Sequence, residues 1–148
     1  MSFIFIKLDK TNVMLKKLFI LSAFLFFSNT FFAQAMQGPD GSKIGTIKAD
    51  GTVLDEANKV VGKFKKDGMV TGKGSEIIGW IRDNGLIADE SNKTVGYVGA
   101  DGIVQDDTKK TIGYIKIDGT VQNEKNEVIG TAKNIPLKWV AVYFFFLF

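Results

Sequence analysis

The sequence predicts an all-β fold, with five 17-residue β-hairpin repeats closed around a pseudo-five-fold axis and an apolar C-terminal segment packed into the core. Three observations carry that prediction. Glycines recur at Gly45, Gly62, Gly79, Gly96, Gly113 and Gly130, each seventeen residues after the last. A second series at the same period, Gly51, Gly68, Gly85, Gly102 and Gly119, follows Asp50, Asp67, Asn84, Asp101 and Asp118 in turn. The chain then ends on the apolar run Trp139 to Phe148. Two glycine series held in phase, without insertion or deletion, mark a repeat architecture. Each glycine in a helix interior costs about 1 kcal/mol, so helices across the repeats are disfavoured. β-Branched residues around Asp-Gly or Asn-Gly signal hairpins instead.

From the N-terminus, Met14-Leu15-Lys16-Lys17, the apolar run Leu18 to Phe27 and the small-x-small end Ala33-Gln34-Ala35 have the form of a secretory signal peptide. The run is shorter than the roughly 20 residues that a spanning helix needs. Residues 1–35 therefore read as an upstream extension and leader that starts at Met14 and is cut after Ala35. Residues 36–148 read as one repeat domain, exported to the periplasm, the outer surface or the medium. No cysteine follows the apolar run, so no lipid anchor is expected. Lys7, Lys10, Lys16 and Lys17 against Asp9 account for the whole net charge of +3, leaving the domain neutral. Nucleic-acid binding needs a concentrated basic face and is not expected.

The repeats span residues 43–59, 60–76, 77–93, 94–110 and 111–127, and 128–148 is the closing segment. Register selects the hairpin. A two-residue Asp-Gly turn would set Ile47 and Val53 on opposite faces. The three-residue loop Ala49-Asp50-Gly51 pairs them on one face, and likewise Phe64 with Val70, Ile81 with Ile87, Val98 with Val104 and Ile115 with Val121. Such a loop is a type I turn with a left-handed glycine in a bulge. Gly45 and its equivalents lie two positions before Ile47 and its equivalents, so they share the inward face. Strands converging on an axis would leave room there for hydrogen only. In the second repeat, Gly72-Lys73-Gly74 replaces polar loop residues, which predicts an outer loop of different shape.

One 17-residue hairpin buries too little to stand alone, so stability must come from neighbours, in a stack or a ring. A stack wants polar caps. The run from Trp139 to Phe148 is too apolar for water and predicts burial, with Pro136 marking the turn into it. Contact of this tail with a membrane surface is the other use for such a run.

The motif I-G-x-I-x-x-D-G-x-V at Ile112 to Val121, its five copies and the Phe-rich ending from Trp139 together resemble the five-fold β-flower proteins, small secreted repeat proteins of bacteria. The resemblance covers about residues 43–148. It implies a closed ring of five two-stranded petals with the C-terminal segment packed within or beneath it, and it implies no catalytic residues.

The absence of Cys and His excludes disulfide scaffolds, thiolate nucleophiles, the Ser-His-Asp triad and the commonest transition-metal ligands. Carboxylate neighbours such as Asp89-Glu90 and Asp106-Asp107 lie in outer loops rather than in a cleft, so no enzyme and no cofactor is expected. The Asp and Asn residues before glycine follow from turn chemistry and need no calcium. Trp80, Tyr97 and Tyr114 occupy one repeat position, next to the inward glycine and facing away from the core. They either seal contacts between petals or stack on a ligand. The expected role is a structural or interaction module acting through its outer face. The alternative is a carbohydrate- or cell-envelope-binding module using these three aromatics, with a glycan or an envelope protein as partner.

Overall fold

Alternation of β-branched residues about tight turns produces twelve short strands in the computed structural model, which describes residues 34–148. They are β1 (Gln34–Gln37), β2 (Lys43–Ile47), β3 (Thr52–Asp55), β4 (Val60–Phe64), β5 (Met69–Gly72) and β6 (Ile77–Ile81) in the first half. The second half holds β7 (Leu86–Asp89), β8 (Thr94–Val98), β9 (Ile103–Asp106), β10 (Thr111–Ile115), β11 (Thr120–Asn123), β12 (Val128–Ala132) and the helix α1 (Leu137–Phe145). Apart from Gln34 and Ala35, the leader lies outside the described residues.

Every strand pairs antiparallel with both neighbours, and β1 closes the ring between β2 and β12. The five repeats are present as contiguous hairpins with the expected pairs Ile47–Val53, Phe64–Val70, Ile81–Ile87, Val98–Val104 and Ile115–Val121. The ring itself holds six hairpins rather than five. The sixth is assembled from the first and last described strands: Met36 of β1 stands opposite Ala132 of β12, the place that Val121 holds against Ile115. Nor are the petals separate. β3 pairs with β4 across the repeat boundary as fully as β2 pairs with β3 within it, so the sheet is a continuous closed barrel.

Turn chemistry explains the residue choice at the tips. Gly51, Gly68, Gly85, Gly102 and Gly119 all have φ between 84 and 88°, a region that side chains with a Cβ avoid. Each turn carbonyl also accepts the N–H of the next repeat, as in Phe64 N–H to Gly51 O at 2.9 Å, so a Cβ at Gly51 would overlap that backbone. The preceding Asp or Asn accepts the N–H two residues on, at 2.9–3.1 Å in all five repeats.

These bonds have a pH consequence. The Thr52 and Thr120 N–H groups hold the Asp50 and Asp118 carboxyls below the usual carboxylate range. A depressed folded-state pKa stabilises the fold above the unfolded value, and the contribution is lost as pH falls through the folded pKa. The melting temperature should be level from neutrality to about pH 5 and fall below about pH 4. The double variant Asp50→Asn/Asp118→Asn should fall less steeply, because Asn84 makes the same turn bond without titrating. Melting curves across this range check the prediction; equal slopes would contradict it.

The outer loops share one backbone. Asp55 N–H donates to Lys59 O and Asn58 N–H to Asp55 O, and Gly72 N–H and Ser75 N–H make the same two bonds to Glu76 O and Gly72 O. The loop of the second repeat therefore has the ordinary shape, contrary to the expectation from its glycines. Backbone hydrogen bonds, with Ser75 at φ 67° where Asn58 has 61°, set that shape without the Asp side chain.

Twelve strands enclose more space than their own side chains fill, whereas about eight are filled by them. One inward residue per strand forms a layer: Ile47, Val53, Phe64, Val70, Ile81, Ile87, Val98, Val104, Ile115 and Val121, completed by Ala132 and Met36. The small Ala132 stands opposite the long Met36. Val140, Ala141 and Val142 of α1, all buried, join this core. Pro136 caps the start of α1, as the sequence predicts for the turn into the tail. Trp139 stacks on Phe64 with ring centroids 5.2 Å apart.

The first glycine series seats the tail. A Cβ at Gly45 would meet Tyr143, at Gly130 Phe144, at Gly113 Phe145, at Gly96 Phe146, at Gly79 Leu147 and at Gly62 Phe148. Six consecutive residues thus reach six glycines in ring order, β2, β12, β10, β8, β6 and β4. The glycines do not converge on an axis. They stand around a lumen, and the space they leave is taken by the tail side chains.

Candidate binding surface

The residue after each tip glycine and the residue after each inward glycine face outward and pair across the repeat boundary. Three successive pairs are apolar or aromatic: Met69–Trp80, Leu86–Tyr97 and Ile103–Tyr114. The other three places in the ring hold Thr120–Thr131, Ala35–Thr46 and Thr52–Lys63. One half of the outer wall is therefore aromatic and the other half polar, on the same backbone. The structure brings Trp80, Tyr97 and Tyr114 to this wall, successive rings being two strands apart and offset by two residues along the strand, a spacing of about 12 Å. They line no common cavity, and each lies one sixth of the ring from the next.

All three are half-buried. Ala88, directly opposite Trp80 on the wall, is only 1% exposed although it faces outward. The equivalent Leu54 and Thr71, opposite Thr46 and Lys63, are buried as well, at 8% and 4%. The Arg82 guanidinium lies 5.3 Å from the Trp80 ring centroid, and the Lys109 ammonium 5.3 Å from that of Tyr97, within cation–π range. Arg82 Nη2 also donates to Asn92 Oδ1 at 2.6 Å. Gln105, opposite Tyr97, and Gln122, opposite Tyr114, donate to the carbonyls of Lys109 and Asn126, both at 3.0 Å. Asp106 is engaged in its own loop, where the Thr108 hydroxyl holds its carboxyl below the usual range.

Sequence reasoning finds the aromatic column but not its cross-strand partners Met69, Leu86 and Ile103, nor Arg82 and Lys109. Met69, Leu86 and Ile103 form their own 17-residue column immediately after the tip glycines. Pairing them with the aromatics requires the register across the repeat boundary, which contains a bulge.

Elsewhere, a cleft of ≈ 660 Å³ lies where α1 enters the barrel, floored by Trp139 and reached by Lys65, Lys66 and Lys138. Lys138 Nζ donates to the carbonyls of Arg82 and Asp83 at 3.2 and 2.7 Å, which clasps the helix to the β6–β7 tip. Tyr143 donates to Ile44 O at 3.2 Å, and burial first, then Asp55, raises its phenol pKa. Among the described residues no three Asp or Glu side chains gather as metal ligands. The tip carboxylates each serve their own turn. The Phe side chains that contact with a membrane would need are turned toward the glycines of the lumen, with Phe148 the most exposed at 41%.

No curated protein and no solved structure matches the chain. A family model described as 5-fold beta-flower protein matches residues 33–148. That span takes in the closing strand β1, the five contiguous repeats, β12 and the whole plugging tail. On that match the chain, a small all-β repeat module, belongs to the 5-fold β-flower proteins.

Proposed function

We propose that this protein is an exported, non-catalytic interaction module whose working surface is the aromatic half of the outer wall, and that its partner is a glycan of the cell envelope or surroundings. One observation carries the reading. The barrel closes equally well with Thr120–Thr131 or Ala35–Thr46 at the places where three neighbouring hairpins have Met69–Trp80, Leu86–Tyr97 and Ile103–Tyr114. Closure alone does not call for aromatics there. Rings with an apolar face and a polar edge suit contact with sugars, whose C–H faces stack and whose hydroxyls need hydrogen bonds.

The double variant Tyr97→Ala/Tyr114→Ala tests this. Polysaccharide retention in affinity electrophoresis should be lost, while the melting temperature falls by no more than about 5–8 °C, as expected for half-buried side chains costing about 1–2 kcal/mol together. Collapse of the fold with no retention by the native protein would assign the rings to packing.

A further inference from the structure

We infer that the ligand of the aromatic wall is a flexible, linear, anionic polysaccharide of the polyuronate type, an inference that rests on the wall being the binding surface. Shape, charge and spacing lead to it. The three aromatics follow the circumference of a closed barrel, so each faces one sixth of a turn away from its neighbour. A flat partner, such as a bilayer or a crystalline polysaccharide, touches the crest of such a curve and misses its flanks. A flexible chain bends around it.

The charge lying against the first two rings is positive, whereas Tyr114 shares a surface hollow with the tip carboxylates Asp101 and Asp118. Outward positions along β5 to β11 include Met69, Thr71, Trp80, Ala88, Gln105 and Gln122, and none of the outward positions is a carboxylate. Two cations, Arg82 and Lys109, lie against the rings. Both are exposed, and among the described residues neither takes part in an ion pair. A neutral sugar leaves these charges unanswered, whereas a carboxylated one pairs with them. Trp80, Tyr97 and Tyr114 are about 12 Å apart along the row, within the advance of roughly two to three sugar rings in an extended chain. Tyr114 then offers a ring for a C–H face. Arg82 and Lys109 meet carboxylates beside the first two rings.

Tryptophan fluorescence of the Trp139→Phe protein reads the contact, because Trp80 is then the one tryptophan of the chain, whereas Trp139 floors the lysine-lined cleft beside α1 and would report on that site as well. Titrations of the purified protein with polygalacturonate, with hydroxyethyl cellulose and with phosphatidylglycerol vesicles are expected to favour polygalacturonate over the neutral polymer by about tenfold or more, equivalent to about 1.4 kcal/mol. The preference should shrink with added salt. Arg82→Gln/Lys109→Gln should remove it while leaving the melting temperature and the weak binding of the neutral polymer in place. Equal affinity for the two polymers, or an unchanged preference in the double variant, overturns the anionic ligand and leaves the glycan-binding wall standing. Tighter binding to the vesicles than to either polymer overturns the polysaccharide. No binding to any of the three overturns both readings.

Discussion

Replacing Gly96 by valine is expected to abolish the cooperative fold near room temperature or to lower its melting temperature by roughly 20 °C or more. A Cβ at this position overlaps the Phe146 ring and comes within 2.5 Å of Gln105 O in the neighbouring strand. The ring has room to move only by leaving its seat, which forfeits about 2–3 kcal/mol of burial. The Gln105 carbonyl is backbone, and shifting it strains the β8–β9 pairing, an overpacking cost of about 1–3 kcal/mol. The combined loss, roughly 3–6 kcal/mol, is a large part of the about 5–15 kcal/mol that holds a domain together. Gly74→Ala is the control, because its added methyl meets only the Glu76 carboxylate, at 2.8 Å on a flexible side chain. That variant should melt within about 2 °C of the native protein. Circular dichroism melts of the two decide the point; a Gly96→Val protein as stable as the control would mean that the inward glycines do not seat the tail.

The second large effect concerns ring closure. A chain beginning at Gly38 lacks β1, so β2 and β12 become free edges and the buried Met36 is lost from the inward layer. Met36 alone is worth about 2–3 kcal/mol, and each lost strand hydrogen bond about 1 kcal/mol. Exposed edges are also templates for another chain. The expected result is a marked fall in the urea midpoint, together with dimers or larger species on size-exclusion chromatography. A chain beginning at Met36 should behave nearly as one beginning at Gln34. It keeps both pairs with β12 and loses only Gln34–Ile47 and Ala35–Thr46, of which Ala35 is exposed. A leader cut after Ala35 would leave the closing residues intact. Equal stability of the Met36 and Gly38 chains would show that β1 does not close the barrel.

Most of this architecture is legible in the amino-acid sequence because its determinants are local. The Asp50-Gly51 tip and its four equivalents specify loop length, loop length specifies that Ile47 faces Val53, and the strand period then turns Gly45 inward. The apolar tail specifies its own burial. What escaped was the sixth hairpin, since its strands are the first and last described, about ninety residues apart in sequence, with no Asp-Gly turn joining them. A trace was present: Met36, Gly38 and Gly41 stand seventeen residues before Val53, Asp55 and Asn58, and Gly41 has φ +80° where Asn58 has 61°. Without that unit the ring counts ten strands and the lumen is underestimated, so the glycines seem to need a crowded axis rather than a plug. The wall was legible only as the column of Trp80, Tyr97 and Tyr114. Their pairing with Met69, Leu86 and Ile103 depends on a bulge between repeats that no local motif announces.

The seating of the tail is open to direct measurement by nuclear Overhauser effects between glycine Hα protons and tail side chains. The structure predicts cross-peaks from Gly130 to the Phe144 ring, Gly113 to Phe145, Gly96 to Phe146, Gly79 to the Leu147 methyls and Gly62 to Phe148, with ring-current shifts at the four glycines that face aromatic rings. Tail resonances at random-coil positions, with no cross-peaks to these glycines, would contradict it.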